Sequence, residues 1–169
     1  MRKIILTILV VMLLGACSVQ AVTEWQNGHY DVVDGNYFEE VAMLENATAD
    51  MIGGLIDKIT IYQSCLLNMY DGEIGILWTE DISTANIYGG DLTELWATGG
   101  SVNLYAYDVT HTTTGGLWDD GQVIGTYYSD STDFIFDLRD DAYSHISIIP
   151  EPATFLLLGL GGLLLRKRK

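Results

Sequence analysis

Apolar residues recur along the middle of the chain in short runs, each following a glycine-containing turn, and the whole pattern repeats. Residues 50–54 are followed eighteen positions later by residues 68–72, and after another eighteen by residues 86–90. A weaker copy at residues 103–107 keeps the Asn and Tyr but loses the glycines, and residues 31–35 form a degenerate first copy. Self-similarity at a fixed period is typical of repeat proteins, in which each unit stacks on the next.

Each repeat predicts two short strands, because its apolar residues are mostly Ile and Leu, accompanied by Tyr, Thr and turn residues. One such unit cannot bury its apolar face alone, whereas stacked units share a continuous core. The sequence therefore predicts an all-β fold, a short parallel β-solenoid with coils of about 18 residues. The expected corner ladders contain Asn68, Asn86 and Asn103 in one row and Tyr70, Tyr88 and Tyr105 in the next.

An antiparallel β meander is the alternative fold. Asp71-Gly72 and Gly89-Gly90 are strong hairpin signals, and in a meander they would form two-residue turns between neighbouring strands. The pattern leaves the handedness of a solenoid open.

The character of the chain changes after Asp108. A polar connection at residues 111–116 precedes three longer, alternating segments at 122–128, 133–138 and 145–149, which predict strands. We expect residues 22–108 to form the solenoid and residues 109–149 to form a C-terminal β segment that caps its open end.

Both ends of the chain are apolar and predict hydrophobic helices. Residues 1–21 have the basic start, apolar core and small residues of a signal peptide. Cleavage after Ala21 follows the small-x-small pattern set by Val19 and Ala21, and leaves Val22 as the new terminus. The alternative is a lipobox, in which Cys17 is lipidated and becomes the first residue.

The C-terminal tail, residues 150–169, has three parts. Pro150, Glu151 and Pro152 precede thirteen apolar residues, and the basic residues Arg166, Lys167, Arg168 and Lys169 end the chain. A helix of that length covers roughly 20 Å of a hydrocarbon core roughly 30 Å thick, so it predicts a short, transient transmembrane helix. The four cations would stop transfer and keep the extreme C-terminus in the cytoplasm.

Triplet, apolar segment and basic end together resemble the PEP-CTERM sorting signal. The resemblance implies that an exosortase, a membrane transpeptidase, recognises Pro150, Glu151 and Pro152 and removes the tail. The repeat body resembles a group of exported proteins common in planctomycetes, which implies no activity.

The strongly negative net charge of the chain excludes some classes of function. The chain has 23 acidic and 8 basic residues, and removal of both ends leaves only Lys58 and Arg139 as cations in the body. So acidic a surface repels phosphate backbones and argues against nucleic-acid binding. Cys65 is then the only cysteine left, and its apolar neighbours predict a small buried side chain.

The candidate chemistry is limited. A pair of neighbouring acids such as Asp140 and Asp141 could serve glycoside hydrolysis, which needs two carboxyl groups. In so acidic a chain neighbouring acids are expected by chance, so a solenoid glycoside hydrolase is only a weak alternative. No cofactor is expected, and calcium is the one ion that the acidic loops leave open. Its weak candidate ligands are Asp119, Asp120, Asp130 and Asp133.

Trp78 and Trp96 recur at the repeat spacing and would stack on one face, where they could contact sugar rings or fill the core. The sequence thus predicts a non-catalytic, exported protein of the cell surface, outer envelope or extracellular matrix. Its expected partners are signal peptidase and an exosortase, with the membrane bound through the tail before processing. A carbohydrate-binding module that contacts extracellular polysaccharide is the alternative.

Overall fold

The computed structural model describes residues 22–150, which fold into twelve strands and one 3-10 helical turn at Ala142–His145. The strands are β1 Thr23–Gln26, β2 His29–Val32, β3 Tyr37–Leu44, β4 Thr48–Ile61, β5 Leu66–Thr79, β6 Thr84–Ile87, β7 Asp91–Ala97, β8 Ser101–Leu104, β9 Ala106–Thr112, β10 Gln122–Tyr127, β11 Asp133–Arg139 and β12 Ile146–Ile148.

All of these strands except β9 and β10 stack in parallel into two faces around one core. The first face contains β2, the first halves of β4 and β5, then β6, β8 and β12. The second face contains β1, β3, the second halves of β4 and β5, then β7 and β11. β4 and β5 are 14 residues long because each continues from one face into the other.

The register places each repeat on the next. Asn68 lies opposite Asp50 on one side and Asn86 on the other, and Asn86 lies opposite Asn103. The predicted parallel β-solenoid with coils of about 18 residues is confirmed. The meander is wrong for the repeats, because the pairs among β1 to β8 are parallel, and antiparallel pairs in the described chain join only β9, β10 and β11.

Both predicted ladders are present on the first face. The side-chain amide of Asn103 donates to Asn86, and that of Asn86 donates to Asn68, each at 2.8 Å. An Asn side chain can repeat in this way because it carries both a donor and an acceptor. The tyrosine rings stack beside it, with centroids 4.8 Å apart for Tyr70 and Tyr88 and 4.1 Å for Tyr88 and Tyr105.

The repeated glycines let coils approach each other closely. Gly72 has a φ of +98°, and a Cβ there would lie 2.7 Å from the carbonyl oxygen of Gly53 in the preceding coil. Gly90 repeats the arrangement one coil later, with a φ of +85° and the carbonyl oxygen of Gly72 at 2.7 Å. The glycines are therefore coil corners, and a larger residue would separate the coils.

The core consists of rows of inward apolar side chains, one residue from each coil. Burying a Leu or Ile contributes roughly 1.5–3 kcal/mol relative to exposure, so the rows stabilise stacking directly. Cys65 is buried, as predicted, and burial raises the pKa of its thiol. The fully or almost fully buried rows are Met51, Met69, Ile87 and Leu104 on the first face and Ile59, Leu77, Leu95 and Leu138 on the second.

The two ends of the core are closed in different ways. At the N-terminal end the Trp25 ring stacks on Tyr30 at 4.9 Å and meets Phe38 edge-on at 5.5 Å. At the C-terminal end β9 and β10 leave the coil as an antiparallel pair, after which β11 returns to pair with β7 and β12 pairs with β8. The final coil is thus completed by the last two strands.

The sequence predicted these strands at 122–128, 133–138 and 145–149, and β10, β11 and β12 occupy those positions. The expected division between residues 108 and 109 falls inside β9. The signal-peptide region 1–21 and the apolar part of the tail lie outside the described residues. Within residues 22–150, no helix has the length and apolar character needed to span a membrane.

Replacing Gly72 by Ala should destabilise the protein more than replacing Gly35 by Ala. Both glycines have positive φ, but a Cβ at Gly35 meets nothing within 4 Å, whereas one at Gly72 meets backbone. We expect about 1–2 kcal/mol for Gly35→Ala from the left-handed backbone alone, and a larger loss for Gly72→Ala. Urea unfolding midpoints measure both, and equal losses would contradict the close approach of the coils.

Candidate functional site

An aromatic row runs along the outer side of the second face. Thr60, Trp78, Trp96 and Arg139 occupy one register position in successive coils. The preceding residues Leu77, Leu95 and Leu138 point into the core, so the tryptophans point away from it and are half-buried. Trp78 and Trp96 contact each other, with ring centroids 4.9 Å apart and planes tilted by 57°.

Arg139 is held between two tryptophans. Its guanidinium carbon lies 3.7 Å from the ring centroid of Trp96 and 4.2 Å from that of Trp118. A planar guanidinium is suited to this position because it stacks on aromatic faces while keeping its charge. The arrangement brings the loop between β9 and β10, which carries Trp118, onto the outer side of the second face.

Two buried carboxylates lie beside Trp96 and Arg139. Glu94 is 5% exposed and Asp137 is 9% exposed, and the register places them opposite each other. The indole N–H of Trp96 donates to Glu94, and Arg139 Nη1 lies 3.9 Å from Glu94 Oε1. Carboxylates at directly opposite positions repel each other. The contacts of Glu94 with Trp96 and Arg139 offset this repulsion, which arises because one coil stacks on the next.

Asp137 fastens the loop to the solenoid. It accepts the backbone N–H of Leu117 at 2.9 Å and the side-chain amide of Gln122 at 2.7 Å. Leu117 immediately precedes Trp118, so the same contacts position the Trp118 ring over Arg139. We define the aromatic cluster as Trp78, Trp96, Trp118 and Arg139.

Lys58 lies at the other end of the row. Its ammonium is 5.7 Å from the Trp78 ring centroid and 2.7 Å from Glu40 Oε1. Lys58 and Arg139 are the two basic residues of the body, so both cations of this acidic segment contact the same aromatic row. The sequence predicted the pairing of Trp78 with Trp96, but Trp118 and Arg139 were not expected beside them.

The four weak calcium candidates each accept separate hydrogen bonds and do not converge. Asp119 accepts the backbone N–H of Gly115, and Asp120 accepts that of Asp140. Asp130 accepts both donors of Thr132, which lower its pKa, and Asp133 accepts the hydroxyl of Thr126. Within residues 22–150, the one close group of three metal-ligand side chains is His29, Asp31 and Asp50.

The sorting motif begins where the solenoid ends. Strand β12 finishes at Ile148, and the backbone N–H of Ile149 donates to the carbonyl oxygen of Leu104 at 2.9 Å. Pro150 is the last described residue and is exposed. At the other end Val22 is exposed, while Cys17, Val19 and Ala21 lie outside the described residues, as do Glu151, Pro152 and the terminal cations at 166–169.

Comparison with known proteins identifies the tail alone. The family model of the PEP-CTERM protein-sorting motif matches residues 149–169. The chain therefore carries the signal of an exported protein that is targeted to an exosortase and anchored transiently at the membrane. No curated protein and no solved structure matches the chain. The resemblance to planctomycete repeat proteins stays a prediction.

Replacing Arg139 by Lys should loosen the Trp118 loop. An ammonium keeps the charge beside Glu94 but cannot stack between two rings, so local opening should become easier by about 1–2 kcal/mol. Hydrogen exchange of the Leu117 amide, which donates to Asp137, reports that opening.

Lys58→Arg is the matched control, since it alters the cation at the opposite end of the row. It should leave Leu117 exchange unchanged. Equal exchange in Arg139→Lys and the parent protein would show that the guanidinium does not hold the loop.

Proposed function

We propose that the mature protein is a non-catalytic scaffold of the cell surface or extracellular matrix, processed by signal peptidase and by an exosortase-type transpeptidase. The observation that carries this proposal is the position of the sorting motif. The matched region starts at Ile149, one residue after the final strand of the solenoid, so processing would leave the folded body intact.

Self-contained side-chain pairing supports a structural role. The Asn amides of the first face bond to one another, its tyrosines stack on one another, and Arg139 fills the space between Trp96 and Trp118. Such ladders stabilise the stack of coils and leave few polar groups of the repeats to contact a substrate.

Acidity supports an exported location. With 22 acidic residues against two cations, Lys58 and Arg139, residues 22–149 carry a high negative charge, which favours solubility and loose association with divalent cations. These properties suit a hydrated matrix outside the cell.

The intact mass of the native protein should match a chain that starts at Val22 and ends near Pro152, bare or with an attached group. The measurement uses surface and culture-medium fractions of the producing cells. A control in which Pro150, Glu151 and Pro152 are all replaced by Ala should retain its tail in the membrane fraction. Finding residues 166–169 still attached to the parent protein would overturn the proposed processing.

Carbohydrate binding is the second candidate function. Trp118 is 50% exposed at the end of the aromatic cluster, and flat aromatic rings can lie against sugar rings through their apolar faces. Its position beside Trp78 and Trp96 gives an extended aromatic surface on one side of the solenoid, which favours a polysaccharide chain over a small ligand.

The variant Trp78→Ala/Trp96→Ala and the milder Trp118→Ala distinguish the two functions. A carbohydrate-binding module should lose retention on polysaccharides while its circular dichroism stays that of the parent. Tyr70→Ala removes an exposed aromatic from the other face and should keep retention. A parent protein that none of a panel of insoluble and acidic polysaccharides retains would exclude this candidate and leave the scaffold.

A further inference from the structure

A second cluster of chemically active side chains lies on the first face, at its N-terminal edge. His29 and Asp31 are two residues apart on β2, so they point to the same side of the strand. The parallel register places Thr48 opposite His29 and Asp50 opposite Asp31. Four side chains from two coils therefore meet on one patch of the outer surface.

Three ligand atoms converge within this patch. His29 Nε2 is 3.0 Å from Asp31 Oδ1 and 3.7 Å from Asp50 Oδ2. All three atoms lie within 4.8 Å of one another. Two atoms about 2 Å from one tetrahedral metal ion lie roughly 3.3 Å apart, and the separations of His29 Nε2 from the two carboxylates, 3.0 and 3.7 Å, bracket that distance.

Neighbouring groups orient the imidazole of His29. His29 Nε2 lies 3.0 Å from Asp31 Oδ1, and because a carboxylate only accepts, Nε2–H donates to it. On the other side of the ring, Nδ1 lies 3.0 Å from the Thr48 hydroxyl. A divalent ion would replace the Nε2 proton between the imidazole and the two carboxylates, while Nδ1 keeps the Thr48 hydroxyl as its partner.

The Asn ladder orients Asp50. The side-chain amide of Asn68 donates to Asp50 Oδ1 at 2.8 Å, which leaves Oδ2 facing His29. Hydrogen bonds from outside the ligand set, one to the imidazole and one to a carboxylate, are typical of metal sites because they fix the ligand geometry.

The other acidic pairs differ from Asp31 and Asp50 in the group that lies beside them. Glu94 and Asp137 also lie opposite each other, but Arg139 stands beside them. Glu73 and Asp91 are paired too, and both are exposed to water. At Asp31 and Asp50 the neighbouring group is an imidazole, which can bind a metal.

We infer that His29, Asp31 and Asp50 bind a divalent first-row transition-metal ion, represented by Zn²⁺. One imidazole nitrogen and two carboxylate oxygens suit Zn²⁺, with solvent water in the fourth position, whereas Ca²⁺ takes oxygen ligands alone. Because the patch is exposed, the ion exchanges readily with solvent. Its role is to stabilise the first coil.

Titration of the chelator-treated full-length protein in detergent with Zn²⁺ tests the site, with calorimetry as the readout. One equivalent should bind to the parent. His29→Gln and Asp50→Asn should weaken binding at least about tenfold, since loss of an outer partner alone costs about 10- to 100-fold. Asn at position 50 keeps an acceptor for Asn68, so the ladder survives.

Glu73→Gln is the matched control, because it removes one carboxylate from an acidic pair that has no histidine. Its affinity for Zn²⁺ should equal that of the parent. Equal affinity for Zn²⁺ in His29→Gln and the parent would show that surface carboxylates bind the ion diffusely, and it would overturn the site. Displacement of Zn²⁺ by an equal concentration of Ca²⁺ would overturn it too.

Nitrogen-15 NMR provides a second readout that does not depend on affinity. Adding Zn²⁺ should shift the Nε2 resonance of His29 and leave Nδ1 protonated, and the resonance is assigned by its loss in His29→Gln. If Nε2 keeps a proton when Zn²⁺ is present, the cluster is a hydrogen-bonded histidine–carboxylate pair and the metal site is wrong.

Discussion

Parallel hydrogen bonding between coils, in a register that repeats every 17 to 19 residues, is the constraint on which the rest of the structure depends. It places each side chain directly beside its equivalent in the next coil. Residues that attract their own kind, such as Asn and Tyr, can therefore repeat without limit. Acidic residues cannot, and where Asp31 meets Asp50 or Glu94 meets Asp137 a nitrogen-containing side chain lies next to the pair.

The same constraint explains how the stack ends. A solenoid made only of equal coils would present unpaired strands, which invite association with other chains. Here β9 and β10 leave the coil and β11 enters between them and β7, so the second face ends in antiparallel strands. At the opposite end, the rings of Trp25, Tyr30 and Phe38 cover the core. The two ends differ, which disfavours indefinite end-to-end growth.

The sequence predicted the strands and the side-chain contacts between repeats, and missed the contacts that non-repeating residues make. Asn68, Asn86 and Asn103 were predictable because a fixed spacing becomes a fixed contact in a solenoid. Trp118 and Arg139 were not, because β11 pairs with β7 only after an excursion whose length no repeat defines. The contact of His29 with Asp50 was missed for a related reason. His29 lies in the degenerate first repeat, and no later repeat has a histidine at the equivalent position. Local spacing alone could not show which carboxylate would face the imidazole.

The junction at Ile149 has a consequence for geometry. Its backbone hydrogen bond to Leu104 fixes the chain direction one residue before Pro150, with no flexible linker between the solenoid and the sorting motif. A transpeptidase that acts there must approach the rigid edge of a sheet. Under the proposed processing, any group joined to the new terminus would lie within a few residues of β12, beside the strand that completes the last coil of the first face.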